Sequence, residues 1–258
     1  MKRVLLLALL VSLMLVPAAE AAEQGIYYSG KDAAALDWVH SAGLSFVIAP
    51  PSHALEQQLA ARGMTAVWNV PFRRANPALI AEYDTSPVTR GWYIADEPSL
   101  SEGGALRWWN NTVHSMSHHP TYSVHWGCDK TQVHWSMSPF KDGADWIGTD
   151  CYPVGVSSSR IVGPAFKEGA RITKRWGKQF WAVIQAASWE AMGGVNYGRP
   201  ETQWPTAREM QIMRDCALKR TNTVVWYSFK DVLKGGQGAL DRLGAAIRSP
   251  RRKCPPNK

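Results

Sequence analysis

The chain has 258 residues, a formal net charge of +8 and four cysteines. This length suits one large α/β domain, because α/β barrels reach about 250 residues as a single unit. The lysines and arginines are spread along the sequence, apart from a cluster at 248–253. The positive charge therefore does not indicate a nucleic-acid-binding protein.

The first 21 residues have the three-part layout of a secretory signal peptide. A basic start, Met1-Lys2-Arg3, precedes the uncharged apolar run Val4–Val16, and Ala19-Glu20-Ala21 forms a small-x-small cleavage site. The apolar run is too short for a comfortable membrane span. We therefore expect a secreted or periplasmic protein without a membrane anchor, whose residues 22–258 form a single domain.

Eight short runs rich in Val, Ile, Tyr, Trp and Phe have the composition of β-strands. Helical patterns separate them, so strands and helices alternate along the chain. The predicted strands are Gly25–Tyr28, Leu44–Ala49, Thr65–Val70, Gly91–Ala95, Thr121–Trp126, Asp145–Asp150, Gln179–Gln185 and Thr223–Phe229.

The connections between these runs carry helix signals. Thr206 and Glu209 form a T-x-x-E capping box at the start of a helix predicted over Thr206–Lys219. The fifth connection, Cys128–Gly143, has room for a short helix at most. Other helices are predicted over Asp32–Ser41, His53–Arg62, Ser101–His118 and Ala165–Trp176, and Gly43, Gly63 and Gly177 follow helices where a left-handed residue is needed.

Alternating strands and helices favour parallel strand pairing, because each helical crossover covers one face of the sheet. Eight such units predict an α/β fold of the closed (β/α)8 TIM-barrel type. The alternative is an open doubly wound sheet, but no G-x-G-x-x-G follows the first strand.

Four cysteines in an exported protein are more typical of disulfides than of metal ligands, and no C-x-x-C spacing occurs. Sequence alone allows three pairings. The barrel favours Cys128 with Cys151, because these residues lie at the ends of neighbouring strands. Cys216 with Cys254 then ties the C-terminal tail to the last long helix.

In a parallel barrel the active site lies at the carboxyl ends of the strands. Polar and aromatic side chains end most of the runs here, as expected for a carbohydrate cleft. The candidate catalytic residues are Glu97, Asp96 and Asp150, and the candidate substrate-binding residues are Tyr28, Asn69, His125, Trp126, Tyr152, Gln185, Trp226 and Tyr227.

The sharpest motif is Gly91-Trp-Tyr-Ile-Ala-Asp-Glu-Pro98, in which an apolar strand runs directly into two carboxylates. Like charges oppose joint ionisation, and this raises one pKa as a general acid requires. The alternative role is a loop pair that caps the helix starting near Ser101. The position at a strand end favours catalysis.

The segment Tyr-Ile-Ala-Asp-Glu-Pro resembles the Asn-Glu-Pro strand-four motif of the large clan of retaining (β/α)8 glycosidases. Thr149-Asp-Cys-Tyr-Pro153 resembles a strand-six segment of related barrels, and Phe180–Gln185 and Val224–Ser228 resemble strands seven and eight. The resemblance implies that Glu97 is the acid/base. Asp96 stands where the clan has Asn, and Gln185 stands where the clan has its nucleophilic Glu.

Because an amide cannot form a glycosyl-enzyme ester, three alternatives stay open. Glu97 and Asp150 are the two carboxylates of a retaining or inverting hydrolase, distinguished by their separation. In the second alternative Asp96 and Glu97 act together on a 2-acetamido sugar, and the acetamide of the sugar itself attacks the anomeric carbon. The Asp-Glu pair resembles that of the substrate-assisted N-acetylhexosaminidases, and this resemblance implies that Tyr152 and Trp226 hold the acetamide. In the third alternative the barrel binds glycan or cell wall without cleaving it.

The sequence therefore predicts a secreted glycoside hydrolase with a carbohydrate substrate, in which Glu97 donates the proton. We expect no cofactor, no metal and no nucleic-acid partner. The rival prediction is a non-catalytic glycan-binding barrel derived from a glycosidase.

Overall fold

The computed structural model describes residues 22–30, 32–156, 162–194 and 202–255. Eight parallel strands pair in chain order, and the first also pairs with the last, which closes the barrel. The predicted (β/α)8 fold is therefore confirmed. The expected signal peptide, residues 1–21, lies outside the described residues. The strands are β1 (Glu23–Tyr27), β2 (Phe46–Ala49), β3 (Thr65–Asn69), β4 (Thr89–Asp96), β5 (Thr121–Trp126), β6 (Trp146–Cys151), β7 (Gln179–Gln185) and β8 (Thr223–Tyr227).

Helices cover the outside of this barrel. The box of Thr206 and Glu209 caps its helix as predicted, and the helix of the fifth connection has only eight residues. Gly43, Gly63 and Gly177 all have positive φ angles, at 95°, 64° and 68°. The helices are α1 (Ala33–Ser41), α2 (His53–Ala60), α3 (Pro77–Tyr83), α4 (Gly103–Met116), α5 (Lys130–Met137), α6 (Val162–Arg175), α7 (Ala207–Ala217), α8 (Phe229–Lys234) and α9 (Gly236–Arg248).

The barrel interior is a packed core, as the alternation of side chains along each strand requires. A Cβ atom on Gly25 would lie 2.2 Å from the Phe46 ring, so only glycine fits there. At the amino ends of the strands, the Arg90 guanidinium covers the rings of Phe46 and Trp181 and pairs with Glu23. The interior residues are Phe46, Ile48, Val67, Tyr93, Tyr122, Val124, Trp181, Val183 and Val225.

The opposite faces of the strands pack against the helices in a second and larger core. Large aromatic side chains fill it, and burial of this size dominates the energetics of a core. Much of the tryptophan content therefore serves packing. The fully buried tryptophans of the two cores are Trp68, Trp92, Trp109, Trp181 and Trp226.

Two disulfides join the pairs that the sequence favoured. Cys128–Cys151 links the loop after β5 to the last residue of β6. Cys216–Cys254 links α7 to the C-terminal tail. Within the described ranges, the structure contains no helix with the length and hydropathy of a membrane span.

Candidate active site

Asp96 and Glu97 come together at the carboxyl end of β4 because the strand geometry breaks there. Consecutive residues of a regular strand point to opposite faces. The register shifts between Tyr93 and Ala95, and Glu97 has a φ of 41°, in the left-handed region. A side chain other than glycine in this region costs about 1–2 kcal/mol, and such costs cluster at functional sites. As a result, both carboxylates line one cavity.

Arg73 holds the backbone at this turn. It lies in the 3₁₀ turn Phe72–Arg74 after β3 and donates to the carbonyls of Asp96 and Glu97 at 3.4 and 3.5 Å. Its guanidinium also binds both carboxylate oxygens of Glu102 at 2.7 Å. Two parallel bonds of this kind fix the orientation of the guanidinium plane. The β3 connection therefore supports the end of β4.

Asp150 supplies the third carboxyl group, from the inward face of β6. It is only 6% exposed, and its carboxyl is hydrogen-bonded to that of Glu97. A hydrogen bond between two carboxyl groups requires that one of them carries a proton. Burial and the negative charge of Glu97 raise the pKa of Asp150 well above its ordinary value, against a hydrogen bond from Tyr152. The two carboxyl groups therefore titrate as a pair, and burial and their mutual repulsion raise the pKa at which the pair loses its last proton.

The pKa of Glu97 is raised as well. Burial of its carboxyl is the main cause, and the negative charge of Asp96 adds to it, whereas the hydrogen bond with Asp150 lowers it. A carboxylic acid with a raised pKa keeps its proton at pH values where ordinary acids have lost theirs. The arrangement can therefore deliver a proton to a bound substrate.

Aromatic side chains wall the carboxylate cavity, a space of about 180 Å³. Tyr152 stacks on Tyr227 with ring centroids 5.3 Å apart, and its carbonyl accepts a hydrogen bond from the Trp189 indole at 3.0 Å. Burial raises the pKa of Tyr227 to about 12, so its hydroxyl stays a neutral donor. The residues that line this cavity are Asp96, Glu97, Asp150, Tyr152, Trp189, Met192, Gly194 and Tyr227.

A second space of about 190 Å³, the tyrosine cavity, adjoins the first. Asp96 and Tyr227 line both, so together the cavities form one cleft across the mouth of the barrel, the end where the strands finish. The peptide bond between Tyr227 and Ser228 at this rim is cis. The tyrosine cavity is lined by Tyr27, Tyr28, Ser29, Ile48, Pro50, Asn69, Tyr93, Asp96, Tyr227, Ser228 and Lys230.

The structure brings seven of the eleven predicted site residues to these cavities. They are Tyr28, Asn69, Asp96, Glu97, Asp150, Tyr152 and Tyr227. Tyr28 contributes at the edge, where its hydroxyl donates to the carbonyl of Asp32 at 3.1 Å.

Three predicted residues lie elsewhere. His125 is 1% exposed behind β5, where its ring packs on Phe140 and its Nε2 bonds Ser123, and burial lowers its pKa to about 4. Trp226 is fully buried under the helices.

Gln185 is also fully buried, and its side-chain amide forms hydrogen bonds with backbone atoms. Its Oε1 accepts from Val154 N at 2.8 Å, and its Nε2 donates to the carbonyls of Val154 and Ala187 at 3.2 and 3.0 Å. The side chain therefore ties the loop after β6 to the loop after β7. It satisfies its polar atoms without a sugar.

Trp126 occupies a separate place at the rim. Tyr122 and Val124 point into the barrel interior, so the period of two aims Trp126 into the mouth as well. Its side chain is 37% exposed and meets the Trp135 ring edge-on at 5.7 Å. Neither cavity of the cleft includes it.

Sequence reasoning missed several residues of the cleft. The sequence does not identify Tyr27, because the predicted strand ends at Tyr28 whereas β1 ends at Tyr27. It does not identify Tyr93 either, because this residue precedes the register shift in β4 and does not stand at the strand end. Trp189, Met192 and Lys230 come from loops after β7 and β8, where no periodicity indicates which side chain turns inward. Alternation along β1 was the one signal that could have identified Tyr27.

Metal ligands do not gather in this cleft. Among the described residues, no group of three or more His, Cys, Asp or Glu side chains has an arrangement that would hold a metal ion. The side chains that line the cleft supply carboxyl, phenol, indole, amide and amine groups.

Several solved structures share this barrel. GH5_18 from Streptomyces cattleya, in complex with GlcNAc, is similar with a TM-score of 0.58 and 11% identity, over 82% of this chain and 71% of that chain. The GH18 chitinase ChiB from the chitin utilization locus of Flavobacterium johnsoniae is similar with a TM-score of 0.54 and 10% identity, over 89% and 94%. Tryptophan synthase from M. tuberculosis is similar with a TM-score of 0.55 and 11% identity, over 88% and 93%.

No protein-family model matches the sequence, and no curated protein matches it. The structural likeness identifies a glycosidase-like (β/α)8 fold. At these identities it shows the fold alone, and tryptophan synthase demonstrates that the same fold carries other reactions. The reaction of this chain must be argued from its own cleft.

Proposed function

We propose that this glycosidase-like barrel is an exported, single-domain hydrolase of O-glycosidic bonds in glycans that contain 2-acetamido sugars. Glu97 is the general acid, and no cofactor takes part. The observation that carries the proposal is the pairing of the Glu97 and Asp150 carboxyl groups inside one aromatic-walled cavity, where both pKa values are raised. Carboxylates in such surroundings can run glycoside hydrolysis without a metal.

The pairing of these carboxyl groups also favours one mechanism over another. An inverting hydrolase needs its two carboxyl groups about 6.5–9.5 Å apart to leave room for water, whereas hydrogen-bonded carboxyl groups leave none. A direct nucleophile must be ionised, whereas burial and the charge of Glu97 raise the pKa of Asp150 well above its ordinary value. Asp150 is therefore better suited to hold the proton of Glu97 than to attack the sugar.

If the acetamide group of the substrate attacks the anomeric carbon, the protein does not need to supply an ionised nucleophile. Glu97 donates its proton to the glycosidic oxygen as the bond to the anomeric carbon breaks, and the acetamide oxygen bonds to that carbon. Asp96 orients the acetamide N–H, and Tyr152 lies across the cavity to hold the acetamide. Water then attacks the anomeric carbon as the bond between that carbon and the acetamide oxygen breaks, and Glu97 takes the proton that the water releases, which restores the acetamide and the starting state of the acid.

The experiment compares sugar release by the wild-type protein and by Glu97→Gln. The panel contains chitin oligosaccharides, mannan and β-glucan, and includes N-acetylglucosamine because the GH5_18 structure is a complex with GlcNAc. Glutamine keeps the shape of the side chain but carries no transferable proton, so we expect a loss of at least hundredfold. Release confined to acetamido sugars supports the assisted mechanism.

Glu190→Gln is the matched control, because Glu190 is exposed and lies outside the residues that line the cleft. Equal release by wild type and Glu97→Gln contradicts the assignment of the acid.

A second candidate function is glycan binding without cleavage. The position that carries a nucleophile in the resembling clan is Gln185, which is buried and bonded to backbone. If wild type and Glu97→Gln both bind chitin oligosaccharides and neither releases sugar, the protein is a glycan-binding barrel.

A further inference from the structure

The rim of the barrel on the β5 side carries an unusual surface. Trp126 and Trp135 are 37% and 53% exposed, and their rings touch. Exposed large apolar side chains that cluster mark binding surfaces more often than scattered ones do. Among the described residues, only seven large apolar side chains are exposed, and these two form a contacting pair.

The backbone places this pair beside the candidate acid. Glu97 N donates to the carbonyl of Val124, two residues before Trp126, at 2.9 Å. On the other side, Trp126 is paired in register with Asp150. Trp126 therefore lies on the strand between the two that carry the hydrogen-bonded carboxyl groups.

A hydrogen bond from the neighbouring residue Ser136 helps to hold Trp135 near Trp126. The Ser136 hydroxyl donates to the carbonyl of Trp126 at 2.6 Å, which attaches α5 to the end of β5. The Trp135 ring then stands edge-on against Trp126, at an interplanar angle of 68°. The two indole rings therefore meet at an angle at the rim, and both remain partly exposed to solvent.

The tyrosine cavity and the tryptophan pair occupy different parts of the barrel mouth. The tyrosine cavity is lined by the ends of β1, β2, β3, β4 and β8, whereas β5 stands across the barrel from β1. Trp126 therefore lies on the strand next to the end of β4, on the side away from β3, so a glycan that extends from the tyrosine cavity past Glu97 reaches the part of the mouth that carries Trp126. The mouth has binding surface on both sides of the proposed point of cleavage.

We propose that Trp126 and Trp135 form a platform for a sugar unit beyond the scissile bond, so that the substrate is a polysaccharide bound across the mouth and cut internally. Flat indole faces cover the apolar C–H surfaces of sugar rings at little conformational cost. The occupant is a glycan chain continuous with the one in the cleft. The cleavage component of this inference rests on the proposed function, whereas the binding component does not.

The test measures binding and cleavage separately. All binding variants carry Glu97→Gln so that the probe is not consumed, and the probes are chitin disaccharide and chitin hexasaccharide, titrated by calorimetry. With Trp126→Ala or Trp135→Ala we expect the hexasaccharide to bind roughly tenfold more weakly. The disaccharide, which fills the cleft alone, should bind with unchanged affinity.

Trp108→Ala is the matched control. Trp108 is 58% exposed on α4 and contacts Trp109 rather than the rim. With Glu97 intact, the wild-type protein should release mixed short oligosaccharides from glycol chitin. The Trp126→Ala and Trp135→Ala variants should lose a larger fraction of their rate on this polymer than on a nitrophenyl glycoside, whereas Trp108→Ala should lose neither rate.

The outcomes separate the two ideas. Equal affinity of Glu97→Gln alone and of both rim variants in the Glu97→Gln background for the hexasaccharide overturns the platform, even if the protein is a hydrolase. Length-dependent binding that requires the tryptophans, without sugar release, supports the platform and overturns hydrolysis. A dimer in solution that dissociates in the rim variants overturns the glycan as occupant, because the pair is then an interface between copies of this chain.

Discussion

The ionised form of Asp150 is unfavourable in the folded protein. It is nearly buried, and burial together with the charge of Glu97 raises the pKa of its carboxyl. Because the folded-state pKa is raised, the contribution of this group to stability is fully present below the ordinary pKa of about 3.9. It is lost as the pH rises through the raised pKa. Once Asp150 is ionised, it lowers the free energy of unfolding, and groups at functional sites commonly reduce stability in this way.

Asp150→Asn should therefore change activity and stability in opposite directions. The wild-type pair loses its last proton at a higher pH than a single carboxyl, so the alkaline limb of kcat/KM should move to lower pH in the variant. At pH 7 the Tm should rise by a few degrees, since about 1 kcal/mol corresponds to about 2–4 °C at this size. The gain should shrink toward pH 4.

Activity profiles and thermal melts across pH 4 to 9 measure both effects. Asp142→Asn, at an exposed position, is the control. An unchanged alkaline limb would show that the pair does not share the catalytic proton.

The turn at the end of β4 depends on contacts with the connection after β3 and not on Glu97 alone. Glu97 keeps its positive φ because the 3₁₀ turn after β3 supplies Arg73, which Glu102 orients in turn. Strained backbone persists only where its surroundings hold it. The connection after β3 therefore acts on the candidate acid without touching a substrate.

Arg73→Gln should lower kcat by ten- to hundredfold, because a displacement of about 1 Å at a reacting group has effects of that size. KM should change less than twofold, since Arg73 is a positioning residue outside both cavities. An exposed ion pair contributes about 1 kcal/mol or less, so Tm should fall by no more than a few degrees. The comparison uses Arg74→Gln, because Arg74 is exposed and makes no ion pair within the described residues. A Tm loss of ten degrees would show that the role is structural.

At the scale of the whole molecule, the C-terminal tail is fastened to the barrel by α7. Buried Arg214 binds Asp215 at 2.7 Å and donates to the carbonyl of Ile247 at 2.9 Å. Asp215 also accepts from the backbone of Arg252 at 3.1 Å, and the disulfide at Cys254 closes the same region. Since β8 must pair with β1 to complete the barrel, structure that follows β8 reinforces closure.

Asp215→Asn should lower the free energy of unfolding by about 3 kcal/mol, because removing one partner of a buried ion pair leaves the other charge uncompensated. Urea unfolding measures this change. Asp241→Asn, at an exposed position bonded only to Gln237, should cost less than about 1 kcal/mol. Similar midpoints for the two variants would contradict a stabilising role of the tail contacts.

The sequence predicted the barrel, both disulfides and the group of carboxyl residues because these follow from periodicity and from strand order. The placement of His125 and Trp226 could not be read in the same way, since a strand end shows two neighbouring side chains and only one faces the mouth. The loop residues Trp189 and Met192 escaped prediction because loops have no period. The positive φ of Glu97 also has no sequence signal, although it decides which way the acid points.

The Cys128–Cys151 bond lies one residue beyond Asp150 and two beyond Trp126. Disulfides of this kind form in oxidising compartments and are rare where thiols are kept reduced. The strand ends that carry the buried carboxyl and the rim indole are hydrogen-bonded to each other, and the covalent link between them forms only when an oxidant takes up the two thiol hydrogens. The chain with reduced thiols has all the residues of the cleft but lacks this link, so the order of the strand ends at the mouth depends on the redox conditions that the chain has met.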